Sequence, residues 1–301
     1  MLRKLKQDAI RNKYVYIMAI PVVLFYVLFH YVPMGGLLIA FQDYNLVRGI
    51  SGSEWVGLQN FIDFFQGYEF GRLLKNTLLL SFELIIFTFP APLILALLIN
   101  EVRCNPFKKL VQTVSYLPHF ISLVVICGLV VNFTSSEGVL NQILALFGVE
   151  PSTWLMRKEL FHPIYITSDL WQQVGWNSIV YLAAIAGINP GLYEAATIDG
   201  AGRWRQLWNV TLPALVPTIT ILFIMRIGNV MTLGHEKIIL LYNPTIYETA
   251  DIISSFIYRR GLLDASYGFS AAVGLFNSVI NCILLWTANF LSKRLTENSL
   301  W

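Results

Sequence analysis

Six long apolar runs dominate this chain, at approximately residues 14–40, 76–99, 110–132, 164–187, 213–234 and 268–291. Crossing a hydrocarbon core takes about 20 residues at helical rise, and lipid offers no hydrogen-bond partner to a free amide or carbonyl. Such runs predict an all-α membrane protein with six transmembrane helices in a single domain. The composition agrees, with 56 % of the 301 residues hydrophobic and 13 % charged, against about 25 % charged in a typical soluble domain. The basic start, Met1 to Lys13, resembles the front of a secretory leader. The apolar run behind it continues to Ala40 without a small-x-small cleavage site, so a retained span is expected.

Charge placement sets the expected orientation. With the N-terminus inside, the inner segments hold Arg3, Lys4, Lys6, Arg11, Lys13, Arg103, Lys108, Lys109, Arg203, Arg205, Lys293 and Arg294. The outer segments hold Arg48, Arg72, Lys75, Arg157, Lys158, Lys237, Arg259 and Arg260. Twelve cations in short, helix-adjacent stretches against eight predict that both termini lie in the cytoplasm. A net charge of +3 gives no reason to expect nucleic acid. Two outer stretches, Trp55 to Phe65 and Val139 to Phe147, suit either the membrane surface or a cap over the bundle.

The connection at 188–212 carries the most information. Asn189 followed by Pro190 is a good helix start, and Asp199-Gly200 predicts a turn. An amphipathic stretch with Trp204, Leu207, Trp208 and Val210 follows, and Pro213 is read as the start of the fifth span. The whole predicts a compact helix–turn–helix on the cytoplasmic face.

Glu194-Ala195-Ala196, Asp199-Gly200-Ala201 and Leu212-Pro213 with Pro217 beyond resemble the EAA signature of permeases in ATP-binding-cassette importers. The resemblance implies a type I importer permease fold. It also implies that Glu194, Ala195, Ala196, Asp199, Gly200, Ala201 and Trp204 form a coupling helix that docks on an ATPase. The partners it implies are a second, different permease, two copies of the ATPase and an extracellular solute-binding lipoprotein. ATP and Mg would be held by the ATPase, with no cofactor on this chain. More narrowly, Tyr31 to Gly36, Ala40 to Tyr44, Glu236 to Pro244, Tyr247 to Asp251, Tyr258 to Gly261 and Gly274 to Ser278 resemble maltose-type sugar permease subunits. Within these the resemblance is to the branch for polygalacturonate or alginate oligosaccharides. His235 departs from that pattern, where an aromatic apolar residue is expected.

Polar side chains in spans are costly and face a bundle interior or a watery cavity. Gln173, Asn177 and Tyr181 recur every four residues on one helical face, with Trp176 beside them. Amides and aromatics suit sugar hydroxyls and C–H faces; helix–helix hydrogen bonding is the alternative. Arg226 lies roughly 20 Å along the helix from Pro213, either paired internally, with Glu83 as a candidate, or attracting an anionic substrate. Asn229 sits near that face and His235 at the outer mouth. Gly274 and Ser278 suit close helix contact, with Asn277 and Asn281 as interhelical glue. Pro90 and Pro92 predict a kink in the second span, either a hinge or a fixed bend.

Other classes fit poorly. There is no phosphate-binding G-x-x-x-x-G-K-[ST] loop, no H-E-x-x-H and no G-x-S-x-G. His30, His119, His162 and His235 lack metal spacing, so an enzyme is not expected. Cys104, Cys127 and Cys282 read as small packed hydrophobes. A secondary transporter would usually show repeated halves, and none is visible.

Overall fold

The computed structural model describes residues 11–296; Arg3, Lys4 and Lys6 of the positive N-terminal stretch lie outside them. Among the described residues, five helical runs are long and apolar enough to cross a membrane: Lys13–Phe41, Phe70–Glu101, Leu123–Ala145, Arg203–Ile227 and Tyr267–Arg294. A sixth arises if Phe161–Ala186 and Pro190–Ile198, bent by 67°, count as one broken span. Phe161–Ala186 is the exception for a physical reason. It carries Ser168, Asp169, Gln172, Gln173, Asn177 and Ser178, and the polar face lowers its mean hydropathy.

The third run differs from expectation. Asn105–Tyr116 forms a separate helix, followed by a tight turn at Leu117–Phe120. A new helix starts at Leu123, where the Ser122 hydroxyl accepts from the Val125 amide. Pro118 lacks the amide needed to continue the earlier ladder. The apolar run is therefore Leu123–Ala145 rather than 110–132, and Val139–Ala145 belongs to it. Buried Asn141 fixes that end, its amide donating to the Ser135 and Ser152 carbonyls at 2.6 and 2.8 Å.

The fifth run also begins earlier than expected. It is helical from Arg203 through Pro213, with one wide π-turn at Leu207–Thr211. A proline clashes with the carbonyl four residues back and offers it no amide. The π-turn just ahead absorbs that defect. The same device recurs at Val27–Tyr31, ahead of Pro33. At Pro90 the ladder breaks for one residue, Phe89, whose backbone stays helical (φ −75°, ψ −47°).

The chain divides into two compact units, Met1–Gly67 with Arg259–Phe276 and Tyr68–Tyr258 with Asn277–Trp301. In the first, Gln42–Asp43 pairs antiparallel with Glu54–Trp55, and the Asn60 amide ties Ala40 and Gln42 carbonyls together. Trp55 stacks on Phe41, and Phe64 packs against Phe269 and Phe276. The Trp55–Phe65 stretch thus packs within its own unit. The Gly274 face is open there: a Cβ at that position would meet nothing within 4 Å.

In the second unit Phe161–Ala186 is central. It packs on Phe70–Glu101, on Asn105–Tyr116 and on Arg203–Ile227. Leu80, Leu84, Phe161, Tyr165, Ile238 and Ile252 share one apolar cluster; Ala96, Tyr181, Ile185 and Leu215 share another. Close helix approach occurs at Gly175, where a Cβ would land on the Ser115 carbonyl. Asn281 acts as the expected glue, its Oδ1 accepting from the Met231 amide at 2.9 Å.

Candidate functional site

The period-four polar face of Phe161–Ala186 opens on a cavity of about 540 Å³. Gln173, Asn177 and Tyr181 line it from this helix, Arg226 from the end of the fifth run and Asn229 from the turn just beyond. Thr88, Phe89 and Pro92 complete the wall at the ladder break in the second run. The residues around Pro90 thus shape a cavity surface. Five of the seven predicted pathway residues come together here.

Two do not. Trp176 lies parallel to the His119 ring, with centroids 4.3 Å apart and 4° between planes. Phe120 meets it edge-on at 5.5 Å. His119 also binds the cavity residue Gln173, 3.0 Å from Nδ1 to Oε1. An amide oxygen only accepts, so Nδ1 donates. His235 stands outside the cavity as well, stacked on Tyr258 at 5.5 Å.

Arg226 does not pair with Glu83. The Glu83 carboxylate is taken by His162, with Nδ1 2.6 Å from Oε2, and the other ring nitrogen faces the Thr249 carbonyl at 3.1 Å. These groups belong to a second cavity of about 560 Å³, lined also by Arg72, Lys75, Lys158 and Glu248. There Arg72 meets Glu69 and Asp251, and Lys158 meets Glu248 at 3.0 Å. The Glu248 carboxylate that accepts its hydrogen bond holds the exposed Lys158 ammonium above the ordinary lysine value.

Two charged residues of the first site were not anticipated from the sequence. Asp169 lines the cavity one turn above Gln173, so the stripe Asp169-Gln173-Asn177-Tyr181 continues with unbroken spacing; extending the periodicity would have found it. Lys237 points inward from the His235–Leu241 helix, its side chain 5 % exposed and Nζ 3.5 Å from Asp169 Oδ1. Nζ also donates to the Tyr165 carbonyl at 3.2 Å and lies 4.5 Å above the Tyr165 ring. Burial pushes this ammonium below the ordinary lysine value, and the Asp169 carboxylate opposes the shift. Nothing in the local sequence marks Lys237 as inward-facing.

The 188–212 connection forms two helical pieces. Asn189 caps Pro190–Ile198, its Oδ1 accepting from the Gly191 amide at 2.9 Å. At the other end Gly200 takes φ +74°, the Gly200 amide reaches the Thr197 carbonyl and the Ala201 amide reaches the Ala196 carbonyl. These are the two bonds of a Schellman cap. Ala196, Asp199, Gly200 and Ala201 thus build the turn itself. Gln206 donates to Thr197 Oγ1 at 2.9 Å and to the Ala201 carbonyl at 3.1 Å, and the Tyr193 hydroxyl meets Thr211 at 3.0 Å. Arg203 reaches Glu101 at 3.2 Å, linking the connection to the second run. Glu194 and Ala195 are exposed, as are Leu192, Ile198, Trp204 and Trp208, the last three at 86 %, 76 % and 64 %.

Comparison with known proteins places this geometry. Residues 88–297 match the family described as binding-protein-dependent transport system inner membrane component. The polygalacturonan/rhamnogalacturonan transport system permease protein YteP of Bacillus subtilis is 46 % identical, over 99 % of this chain and 94 % of its own. Protein LplB of the same organism is 42 % identical, over 97 % and 92 %. A chain in a crystal structure of a bacterial ABC transporter involved in import of the acidic polysaccharide alginate superposes with TM-score 0.90. It shares 46 % identity over 97 % of this chain and 99 % of that one. In the alginate transporter in complex with alginate pentasaccharide-bound periplasmic protein, the match has TM-score 0.91 and 45 % identity, over 99 % and 100 %.

Proposed function

The chain belongs to the inner membrane components of binding-protein-dependent transport systems, and on that premise we propose that it forms half of a pathway importing uronate-containing oligosaccharides. Its fold is that of a type I ABC importer permease. It is a transport subunit rather than an enzyme, with ATP hydrolysed on a separate chain. The observation that carries the substrate reading is Arg226. It lines a polar cavity beside amides and aromatic rings, and makes no ion pair among the described residues. Sugars present hydroxyls to amides and C–H faces to rings, and an uncompensated guanidinium adds a bidentate site for a carboxylate. Relatives named for polygalacturonan and for alginate support the same chemistry.

In this reading a second, different permease completes the cavity, and an extracellular solute-binding lipoprotein delivers the oligosaccharide. Both termini lie in the cytoplasm, so the 188–212 connection faces two ATPase copies that hold ATP and Mg. The exposed Trp204, Trp208, Leu192 and Ile198 supply apolar area for that contact, while Glu194, Ala195, Ala196, Asp199, Gly200 and Ala201 set its shape. ATP-driven closure then moves the connection and, through it, the helices it joins. The test is uptake of labelled oligogalacturonate by proteoliposomes holding the complete complex. ATP-dependent uptake that survives collapse of ion gradients is the expected result. Uptake abolished by an ionophore alone would overturn the proposal.

A further inference from the structure

Arg226 and Asp169 line the same cavity, yet no salt bridge joins them. The Asp169 carboxylate is met instead by Lys237, which reaches in from outside the cavity wall. Burying an ammonium costs several kcal/mol unless it is paired and hydrogen-bonded. Lys237 meets that cost entirely on one helix, through Asp169, the Tyr165 carbonyl and the Tyr165 ring. The consequence for the cavity is electrostatic. With Lys237 the three groups carry one net positive charge, and the guanidinium has no internal partner. Without it, a bare carboxylate would share the cavity with Arg226, competing for the guanidinium and repelling an anionic sugar.

We infer that Lys237 determines specificity through Asp169: it neutralises that carboxylate, leaving Arg226 uncompensated in the cavity for a uronate carboxylate. This rests on the acidic-oligosaccharide reading. Lys237 is a positioning residue, since it lies behind the wall and touches no substrate.

The experiment measures initial uptake of labelled trigalacturonate by proteoliposomes containing the full complex, with saturating loaded binding protein. Lys237→Met should lower the rate at least tenfold. Adding Asp169→Asn to that variant removes the exposed carboxylate and should restore uptake to within threefold of wild type. A merely structural ion pair would recover in the same way, so each rate is read against that for methyl-esterified trigalacturonate. The inference predicts an acid-to-ester ratio at least tenfold lower in Lys237→Met and restored in the double variant, whereas a structural role leaves the ratio unchanged. If wild type takes up trigalacturonate but the assembled double variant stays below a tenth of its rate, the inference fails while the substrate reading stands. If wild type itself ignores trigalacturonate, the substrate reading fails and takes the inference with it. Should Lys237→Met not assemble, Lys237→Gln takes its place: an acid-to-ester uptake ratio at least tenfold below wild type supports the inference. A smaller change overturns it.

Discussion

The polar cavity and the 188–212 connection both extend from the Phe161–Ala186 helix, and they resolve their chemistry in opposite ways. Around the cavity, polar groups find partners inside the chain: His119 on Gln173 and Lys237 on Asp169. Arg226 is the charged exception among the described residues. In the connection the backbone is tied at both helix ends, by the Asn189 cap, the Schellman turn and Gln206, yet its large apolar side chains are uncovered. In the proposed reading, one region is a cavity for a polar ligand and the other a surface for a second chain. A transporter needs both, because force applied at a soft connection would dissipate before it reached the cavity.

If that contrast is right, substitutions should separate into those felt by the ATPase and those felt by the sugar. The largest effect belongs to Trp204→Ala, with an expected loss of about 2 kcal/mol or more in ATPase affinity, the cost of an interface hot spot. Co-purification with the ATPase reads it directly, and undiminished assembly would break the contrast. Gly175→Ala acts on the cavity wall through internal packing. Its new methyl meets the Ser115 carbonyl, so a lowered unfolding midpoint in detergent is expected, worth about 1–3 kcal/mol. Arg226→Gln should cost about tenfold in uptake of an acidic oligosaccharide, near the lower end for a charged hydrogen bond, with ATPase association intact. Equal loss for a methyl-esterified oligomer would return Arg226 to a structural role.

The smallest effect sharpens the account of Gly200. That residue has open space where a side chain would stand, but φ +74°. Conformation, not room for a neighbour, is what this turn requires of it. Gly200→Ala should destabilise the cap by about 1 kcal/mol, whereas Gly200→Asn, which tolerates the left-handed region, should keep transport close to wild type. A severe loss in the asparagine variant would show that the partner surface needs the bare backbone.

Legibility in the sequence followed the range of the interactions. The caps at Asn189 and Gly200 are local, and residue types alone foretold both ends of the Pro190–Ile198 helix. The stripe from Gln173 to Tyr181 was readable because helical spacing is local too. Pro213 misled, since a wide turn can carry a helix through a proline where the sequence suggests a start. The third run was misplaced although the signals were local: hydropathy rises sharply from Asn105–Tyr116 to Leu123–Thr134, and Pro118 with the Ser122 cap marks the break. The Lys237–Asp169 and His162–Glu83 pairs join residues 68 and 79 positions apart, and tertiary packing alone decides them. For Arg226 the sequence supplied depth and left two readings open, and the candidate partner Glu83 is taken by His162.

The most direct test of the whole account is ATP hydrolysis by the reconstituted complex, with binding protein either empty or loaded with oligogalacturonate. Stimulation by the loaded protein alone, lost in Trp204→Ala, is the predicted result, since it requires a filled pathway and an intact connection together. Hydrolysis indifferent to loading, or stimulation that persists without Trp204, would contradict it.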